Sequence, residues 1–214
     1  MKMVFLGPPG AGKGTLATMA SSRLGLPHIS TGDLFRSAIK NETELGKKVK
    51  SIIAEGRLVP DEITIDLVKE RFSKDDTSKG WILDGFPRTI PQARALQDIS
   101  PVDFVVDFDV ADDVILFRLT GRRVCTACGK IYHIHTMAPE MEGRCDLCKN
   151  PLVIRPDDRE ESIQVRLAAY RDQTEPLINW YKEKNLLVTI DGSGKPENVY
   201  SLFDAAIAEL SRRP

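Results

Sequence analysis

Short apolar runs rich in β-branched residues recur along the chain at Met3 to Leu6, around Ile29, at Trp81 to Leu83, at Phe104 to Phe108 and at Leu186 to Ile190. Each is the length of one strand, so five short strands are predicted. Stretches of helical periodicity lie among them: Thr15 to Leu24, Leu34 to Lys40, Leu45 to Ala54, Glu62 to Phe72, Asp112 to Leu119, Glu160 to Lys184 and Pro196 to Leu210. Strand and helix in alternation predict an α/β fold with a five-stranded parallel sheet wrapped by helices on both faces. In the long penultimate helix Ile163, Leu167 and Tyr170 share a face, and Pro176 is expected to kink or interrupt it.

Two stretches break the alternation. Residues 30–59 carry helical pattern without a convincing strand, and residues 122–159 mix cysteine, proline, glycine and charge with little periodicity. Neither is low-complexity and both hold apolar residues to pack, so they are expected to be lobes inserted into a core made of 1–29, 60–121 and 160–214. No internal repeat is visible.

Composition narrows the class. Over 214 residues, 30 basic side chains stand against 31 acidic ones, and 42% of residues are hydrophobic, the balance of an ordinary globular protein rather than a disordered or collagenous chain. A net charge of -1 gives no uniform positive field for sequence-independent nucleic-acid binding, so any anion site must come from local clustering and a small partner is expected. No window approaches the roughly eighteen apolar residues of a membrane span, and Met3-Val4-Phe5-Leu6 is too short for a signal-peptide core; a cytoplasmic address without membrane contact is the expectation.

The chemistry-bearing motifs sit where strands end. Gly7-Pro8-Pro9-Gly10-Ala11-Gly12-Lys13-Gly14-Thr15 follows the first strand and opens the first helix, the context of a phosphate-binding P-loop. Its glycines let successive N–H groups face one phosphate chain, the helix adds its positive dipole end, and Lys13 supplies a mobile point charge. One departure stands out: the position after the lysine is Gly14 rather than Ser or Thr, and Thr15 follows. Asp84-Gly85-Phe86-Pro87-Arg88 follows the third strand, so Asp84 and Arg88 should face the P-loop, with Asp84 suited to the water shell of Mg²⁺ or, more plainly, to a turn cap. Arg36, Arg88, Arg118, Arg122, Arg123, Arg155 and Arg166 lie in or beside the lobes and loops just named. Taken singly each suits a surface position, and only a fold that gathers them makes a phosphate grip.

Cys125, Cys128, Cys145 and Cys148 form two C-x-x-C pairs, a metal pattern more than a disulfide framework. Four thiolates close a tetrahedral site with no position left for water, so a structural ion is expected, zinc before iron. His133 and His135 compete in principle, but the cysteines suffice. A redox dithiol would need one pair beside a βαβ unit, not two inside an insert.

Together with Ser30-Thr31-Gly32-Asp33-Leu34, Glu55-Gly56-Arg57-Leu58-Val59-Pro60, Asp84 to Thr89, Gly121-Arg122-Arg123-Val124-Cys125 and Asp157-Asp158, these motifs resemble the adenylate kinases, in particular the long-lid, zinc-bearing bacterial type. The likeness runs over nearly the whole chain in the family's order. It implies the fold of a P-loop nucleoside monophosphate kinase with two inserted lobes, 30–59 binding AMP and 122–159 forming a lid, in a monomer whose partners are ATP, AMP and ADP. It further implies that Gly10, Ala11, Gly12, Lys13, Gly14 and Thr15 cradle Mg²⁺-ATP, with Arg118, Arg122, Ile131, Tyr132 and Lys195 on the donor side. Thr31, Arg36, Arg57, Leu58, Val59, Gly85, Phe86, Pro87, Arg88 and Gln92 would bind AMP, and Arg155 and Arg166 would clamp phosphates. Catalysis would fall to Lys13, Asp84, Arg88, Arg122, Arg155 and Arg166, while Asp157 and Asp158 would position the closed lid. The family usually has Ala after the first arginine of Arg-x-Asp-Asp, whereas this chain has Pro156, which biases Arg155 toward extended backbone.

Phosphoryl transfer needs positioning and charge stabilisation more than covalent chemistry, and no Ser-His-Asp arrangement competes. A kinase using GTP as donor with AMP is the rival enzyme; the long cysteine-bearing insert disfavours a short-lid UMP-CMP kinase. A regulator joining a P-loop to a nucleic-acid-binding zinc ribbon is the rival from another class. It would want aromatic residues on the ribbon, where Tyr132 is the one available apart from histidines.

Overall fold

The structure, a computed structural model, describes residues 1–210. The last four positions of the expected core range, 211–214, lie outside the described residues. Strand β1 (Lys2–Leu6) runs through the glycine-rich loop into α1 (Lys13–Leu24), and β2 (His28–Ser30) runs into α2 (Thr31–Lys40), α3 (Glu44–Ala54) and α4 (Asp61–Phe72). After a 3-10 turn at Asp75–Thr77 come β3 (Trp81–Asp84), α5 (Ile90–Ile99), β4 (Phe104–Asp109) and α6 (Asp112–Gly121). Three short strands, β5 (Arg122–Cys125), β6 (Ile131–His133) and β7 (Leu152–Val153), precede a second 3-10 turn at Pro156–Asp158. The chain closes with α7 (Glu160–Ala169), a π-helical turn (Tyr170–Thr174), α8 (Pro176–Glu183), β8 (Leu187–Asp191) and α9 (Pro196–Leu210).

The five-stranded sheet is parallel, in the order β2-β3-β1-β4-β8. Its central strand is apolar on both faces because both are covered: Met3, Val4, Phe5 and Leu6 are all buried. Alternate residues feed opposite clusters. Met3, Phe5, Val106 and Phe108 pack with Leu16, Ile115, Leu119 and Phe203 from α1, α6 and α9. Val4, Leu6, Leu83 and Val105 pack on the other face with Val68, Leu96, Leu177 and Tyr181 from α4, α5 and α8. Each such side chain stabilises the fold by about 1.5–3 kcal/mol, so the two layers fix the sheet as a rigid base for the loops at its carboxyl edge.

Residues 30–59 begin at the end of β2 and form α2 and α3, which pack Phe35, Val49 and Val59 into a cluster of their own with Ile63 and Leu67 of α4. Residues 122–159 contain an antiparallel sheet, β6-β5-β7, around a small cluster of Cys125, Tyr132 and Cys145. Three departures from the sequence pattern have physical causes. Helix α5 was not expected, although Thr89 caps it through the backbone N–H of Gln92 and Pro91 sits in its first turn, where no N–H is needed. The small sheet was not expected either, because its strands of two to four residues are too short to show alternation. The single helix expected from Glu160 to Lys184 is instead α7 and α8 with the π-helical turn between them, and Pro176 stands in the first turn of α8 rather than at the break itself.

β1 lies between β3 and β4, and the chain builds first to one side of it and then to the other. The crevice at the carboxyl end of β1 is therefore the switch point where an open parallel sheet takes its ligand. The glycine-rich loop occupies it.

Candidate active site

The N-cap of α1 is Gly12, which has no side chain to cap the helix, so the first turn presents backbone donors to the crevice. Gly10 has φ 82°, and a Cβ there would stand 2.9 Å from Leu119 Cγ; the loop can lie against α6 only with glycine at this position. Lys13 Nζ folds back to donate to the carbonyl oxygens of Gly7 and Pro8, both at 2.7 Å. Burial lowers its pKa to about 8 against the opposing pull of Asp84. A Cβ at Gly14 would stand 3.4 Å from Asp84 Oδ2, so Asp84 lies directly beneath the first turn of α1. Burial pushes the Asp84 carboxyl up, but the His28 imidazole, 3.7 Å away, and the charges of Lys13 and Arg88 outweigh it and hold the group below the usual carboxylate range. Asp84 is thus an ionised group at the phosphate loop, fitted to a hydrated Mg²⁺.

A cleft of about 840 Å³ opens above the loop and gathers Lys13, Arg36, Arg88, Arg118, Arg122, Arg155 and Arg166 from seven different elements and loops. Asp158 accepts from Arg122 Nε at 2.7 Å and Nη2 at 2.5 Å, and from Arg166 Nη1 at 3.0 Å; Asp157 stands 3.1 Å from Arg166 Nη1. Arg36 pairs with Asp33 at 2.6 Å. Arg88 and Arg155 make no ion pair among the described residues, and the buried Nε of Arg155 has no hydrogen-bond partner. Burial followed by the neighbouring guanidinium groups lowers both to about 10, the signature of cations crowded together with too little counter-charge. Arg155 has extended backbone (φ -64°, ψ 144°), as Pro156 demands.

Toward α9, Arg118 Nη1 donates to Ala11 O at 3.2 Å and Nη2 to Ser193 O at 2.8 Å, tying the P-loop to the loop that carries Lys195, which with Ile131 and Tyr132 lines this end of the cleft. The Tyr132 hydroxyl points away, donating to Cys145 Sγ at 3.4 Å and accepting from Asp146 N at 2.8 Å. Toward α2 a second cavity is lined by Thr31, Arg36, Arg57, Leu58, Val59, Gly85, Arg88 and Gln92. Thr31 Oγ1 donates to Gly85 O at 2.8 Å, and Phe86 and Pro87 are buried beneath.

The four cysteine sulfurs lie within 4.8 Å of one another, with Cys125–Cys148 at 3.3 Å and Cys128–Cys145 at 3.6 Å. Sulfurs bonded to one tetrahedral Zn²⁺ at about 2.3 Å stand about 3.8 Å apart, so the group fits the ion. Burial raises the Cys145 thiol, but the Tyr132 hydroxyl and the N–H groups of Cys148 and Leu147 overcome this and lower it to about 6, toward the thiolate a metal requires.

No histidine belongs to this group among the described residues. His133 Nδ1 accepts from the N–H groups of His135 and Thr136, both at 3.2 Å, which leaves the proton on Nε2 to be donated to Phe117 O at 3.0 Å. A Cβ at Gly121 would fall 2.2 Å from that Nε2, so glycine is obligatory where α6 meets the small sheet. Asp61 and Lys40 bear on the site without a local signal in the sequence, whereas His133, which the sequence offered only as a rival metal ligand, serves instead to join the small sheet to α6 through Phe117.

A P-loop at the switch point of a five-stranded parallel sheet, with two helical or metal-ready inserts overhanging one arginine-lined cleft, defines a P-loop nucleoside monophosphate kinase. Comparison with known sequences is specific. The family model described as adenylate kinase matches residues 5–186. The chain is 58% identical over 203 residues to an adenylate kinase of Treponema denticola, covering 95% of this chain and 97% of that one. It is 49% identical to an adenylate kinase of Clostridium tetani, covering 99% and 100%, and 48% identical to one of Agathobacter rectalis, covering 98% and 100%. The chain belongs to the adenylate kinase family, and it is a phosphotransferase.

Proposed function

We propose that the arginine-lined cleft carries out reversible transfer of the terminal phosphoryl group of Mg²⁺-ATP to AMP, giving two ADP. The observation that carries this assignment is the convergence in one cleft of Lys13 with Arg88 and Arg155, two guanidinium groups without carboxylate partners among the described residues. Gly10 through Thr15 hold the donor phosphates by backbone N–H groups, and Lys13 leaves the Gly7 and Pro8 carbonyls to follow the moving phosphoryl group. Arg118, Ile131, Tyr132 and Lys195 form the donor-base end. Thr31, Arg36, Arg57, Leu58, Val59, Gly85, Phe86, Pro87, Arg88 and Gln92 hold AMP, whose phosphate oxygen is the nucleophile.

Arg88, Arg122, Arg155 and Arg166 spread over the transferring group and neutralise charge as it develops, the work that dominates this reaction class. Asp84 would hold the water shell of the Mg²⁺ that accompanies ATP, and that ion would supply positive charge against the phosphates. Residues 30–59 and 122–159 act as closing lobes over the core, and closure excludes the water that would otherwise hydrolyse ATP. Asp157 and Asp158 hold Arg122 and Arg166 in that closed arrangement. The four cysteines bind one structural Zn²⁺ that shapes the lid and takes no part in transfer. The protein works as a cytoplasmic monomer.

Incubating the purified chain with Mg²⁺, AMP and either ATP or GTP, and following ADP and GDP, tests the reading. ATP should support rapid ADP formation. Transfer with GTP at equal or greater efficiency would move the chain to the rival donor class, and the absence of any transfer to AMP would refute the assignment.

A further inference from the structure

Asp61, the first residue of α4, reaches across to α5 and engages its N-cap Thr89 and its first-turn Gln92. Its Oδ1 accepts from Gln92 Nε2 at 2.7 Å and its Oδ2 accepts from Thr89 Oγ1 at 2.9 Å. On the other side of the same amide, Gln92 Oε1 accepts from the backbone N–H of Arg88 at 2.8 Å. Gln92 is 2% exposed and lines the smaller cavity with Thr31, Val59 and Arg88.

These contacts leave the amide one orientation. A carboxylate only accepts and a backbone N–H only donates. Turning the amide over would set oxygen against carboxylate and N–H against N–H, breaking two hydrogen bonds in a buried site. Counting donors and lone pairs, the held amide keeps one N–H and one acceptor site for a partner in the cavity that Gln92 lines.

We infer that Asp61 is a positioning residue that fixes the polarity of the Gln92 amide and so sets the acceptor site's preference for a 6-aminopurine over a 6-oxopurine. This rests on the proposal that Gln92 meets the base of the acceptor nucleotide. Adenine offers an amino donor beside a ring-nitrogen acceptor, which a fixed amide meets with its oxygen and its N–H. Hypoxanthine has the same size and shape but offers an oxygen acceptor beside a ring N–H, the reverse polarity. An amide free to turn would serve either base; one clamped between Asp61 and Arg88 serves only the first. A site built to pair one polarity rejects its reverse strongly, because buried groups are otherwise left unpaired.

The test compares kcat/KM for AMP and for IMP, with Mg²⁺-ATP as donor, in wild type, Asp61→Asn, Gln92→Ala and the double variant. Asp61→Asn keeps the shape but can donate as well as accept, so the Gln92 amide is released. The AMP-to-IMP ratio should fall by about ten-fold or more, through a higher KM for AMP and a lower one for IMP, with kcat for AMP within about three-fold of wild type. Gln92→Ala should also collapse the ratio, and adding Asp61→Asn to it should change the ratio no further. If Gln92→Ala collapses the ratio and Asp61→Asn lowers the melting temperature while affecting both nucleotides equally, Asp61 is a structural bridge between α4 and α5 and the inference is wrong. If Gln92→Ala leaves the ratio unchanged, Gln92 does not read the base, and the acceptor-site proposal fails along with the inference built on it.

Discussion

Lys40, at the end of α2, points its Nζ at the carbonyl oxygens of Thr126 and Ala127, 3.4 Å from each. Those two residues are the turn between Cys125 and Cys128, so Lys40 joins the proposed AMP lobe to the cysteine end of the proposed lid. The contact is exposed and contributes no more than about 1 kcal/mol. Lys40→Met should therefore keep the metal content and the melting temperature, and change kcat by no more than about three-fold, upward if opening limits turnover. Steady-state kinetics check this; a ten-fold fall in kcat would give Lys40 a role in the chemistry that the structure does not support.

The proposed transfer requires Lys13 to carry charge to the phosphoryl group. Lys13→Met should lower kcat by about 100-fold or more with the fold intact, as loss of one preorganised electrostatic donor does. Because burial lowers the free-enzyme pKa to about 8, kcat/KM for ATP should decline as pH rises through 8, while kcat at saturating ATP, whose phosphates favour the charged lysine, should hold to higher pH. A pH profile flat from 7 to 10 in both constants would remove Lys13 from the donor site.

Arg88 donates from Nε to Gly85 O at 2.8 Å, which aims the rest of its fork into the cleft. Arg88→Lys keeps a charge but loses the fork, and should cut kcat/KM for AMP by about ten-fold or more while KM for ATP stays within a few-fold. Equal damage to both substrates would place Arg88 at the transferring group alone rather than at the acceptor.

Asp107 is 5% exposed on the sheet face covered by α8; among the described residues its Oδ1 has no partner and its Oδ2 accepts a long 3.4 Å bond from Thr189. Burial raises its pKa from 3.8 to about 6. The folded state therefore binds this proton more tightly than the unfolded chain, so the stability attached to it is full below about pH 4 and is lost as pH rises through 6. Asp107→Asn should stabilise the protein by about 1–3 kcal/mol at pH 7.5 and by nearly nothing at pH 4, read from urea melts at both pH values. A destabilised variant at pH 7.5 would mean that the carboxylate makes an interaction of its own.

Removing metal from the four-cysteine group should loosen residues 122–159 and lower the melting temperature, leaving the core folded and substantial transfer at moderate temperature. Elemental analysis should return one zinc per chain, reduced in Cys145→Ala. Iron in its place, or full stability with four free thiols, would contradict the zinc assignment.

The parts of the fold legible in the sequence were those whose pattern is local. Met3 to Leu6, Trp81 to Leu83 and Phe104 to Phe108 read as strands because strands buried on both faces are apolar throughout. The P-loop and the cysteine pairs carry their chemistry in their spacing. Helix α5 escaped because Pro91 and the polar Gln92, Arg94 and Gln97 hide a short apolar face of Ala93 and Leu96 that only the core reveals. The strands beside the cysteines are shorter than the period needed to see them. The role of Asp61 and the actual contact of His133 escaped for a different reason: one reaches 31 residues along the chain to Gln92 and the other 16 back to Phe117, and no local pattern encodes such partners.

The most direct test of the central assignment follows the phosphoryl group itself. With ATP labelled in its terminal phosphate, Mg²⁺ and unlabelled AMP, the label should appear at the β position of ADP derived from AMP. One AMP should be consumed per ATP, with almost no inorganic phosphate released, and transfer should slow by about 100-fold or more in Lys13→Met. Label released mainly as inorganic phosphate, or AMP left unconsumed while ATP disappears, would contradict the account.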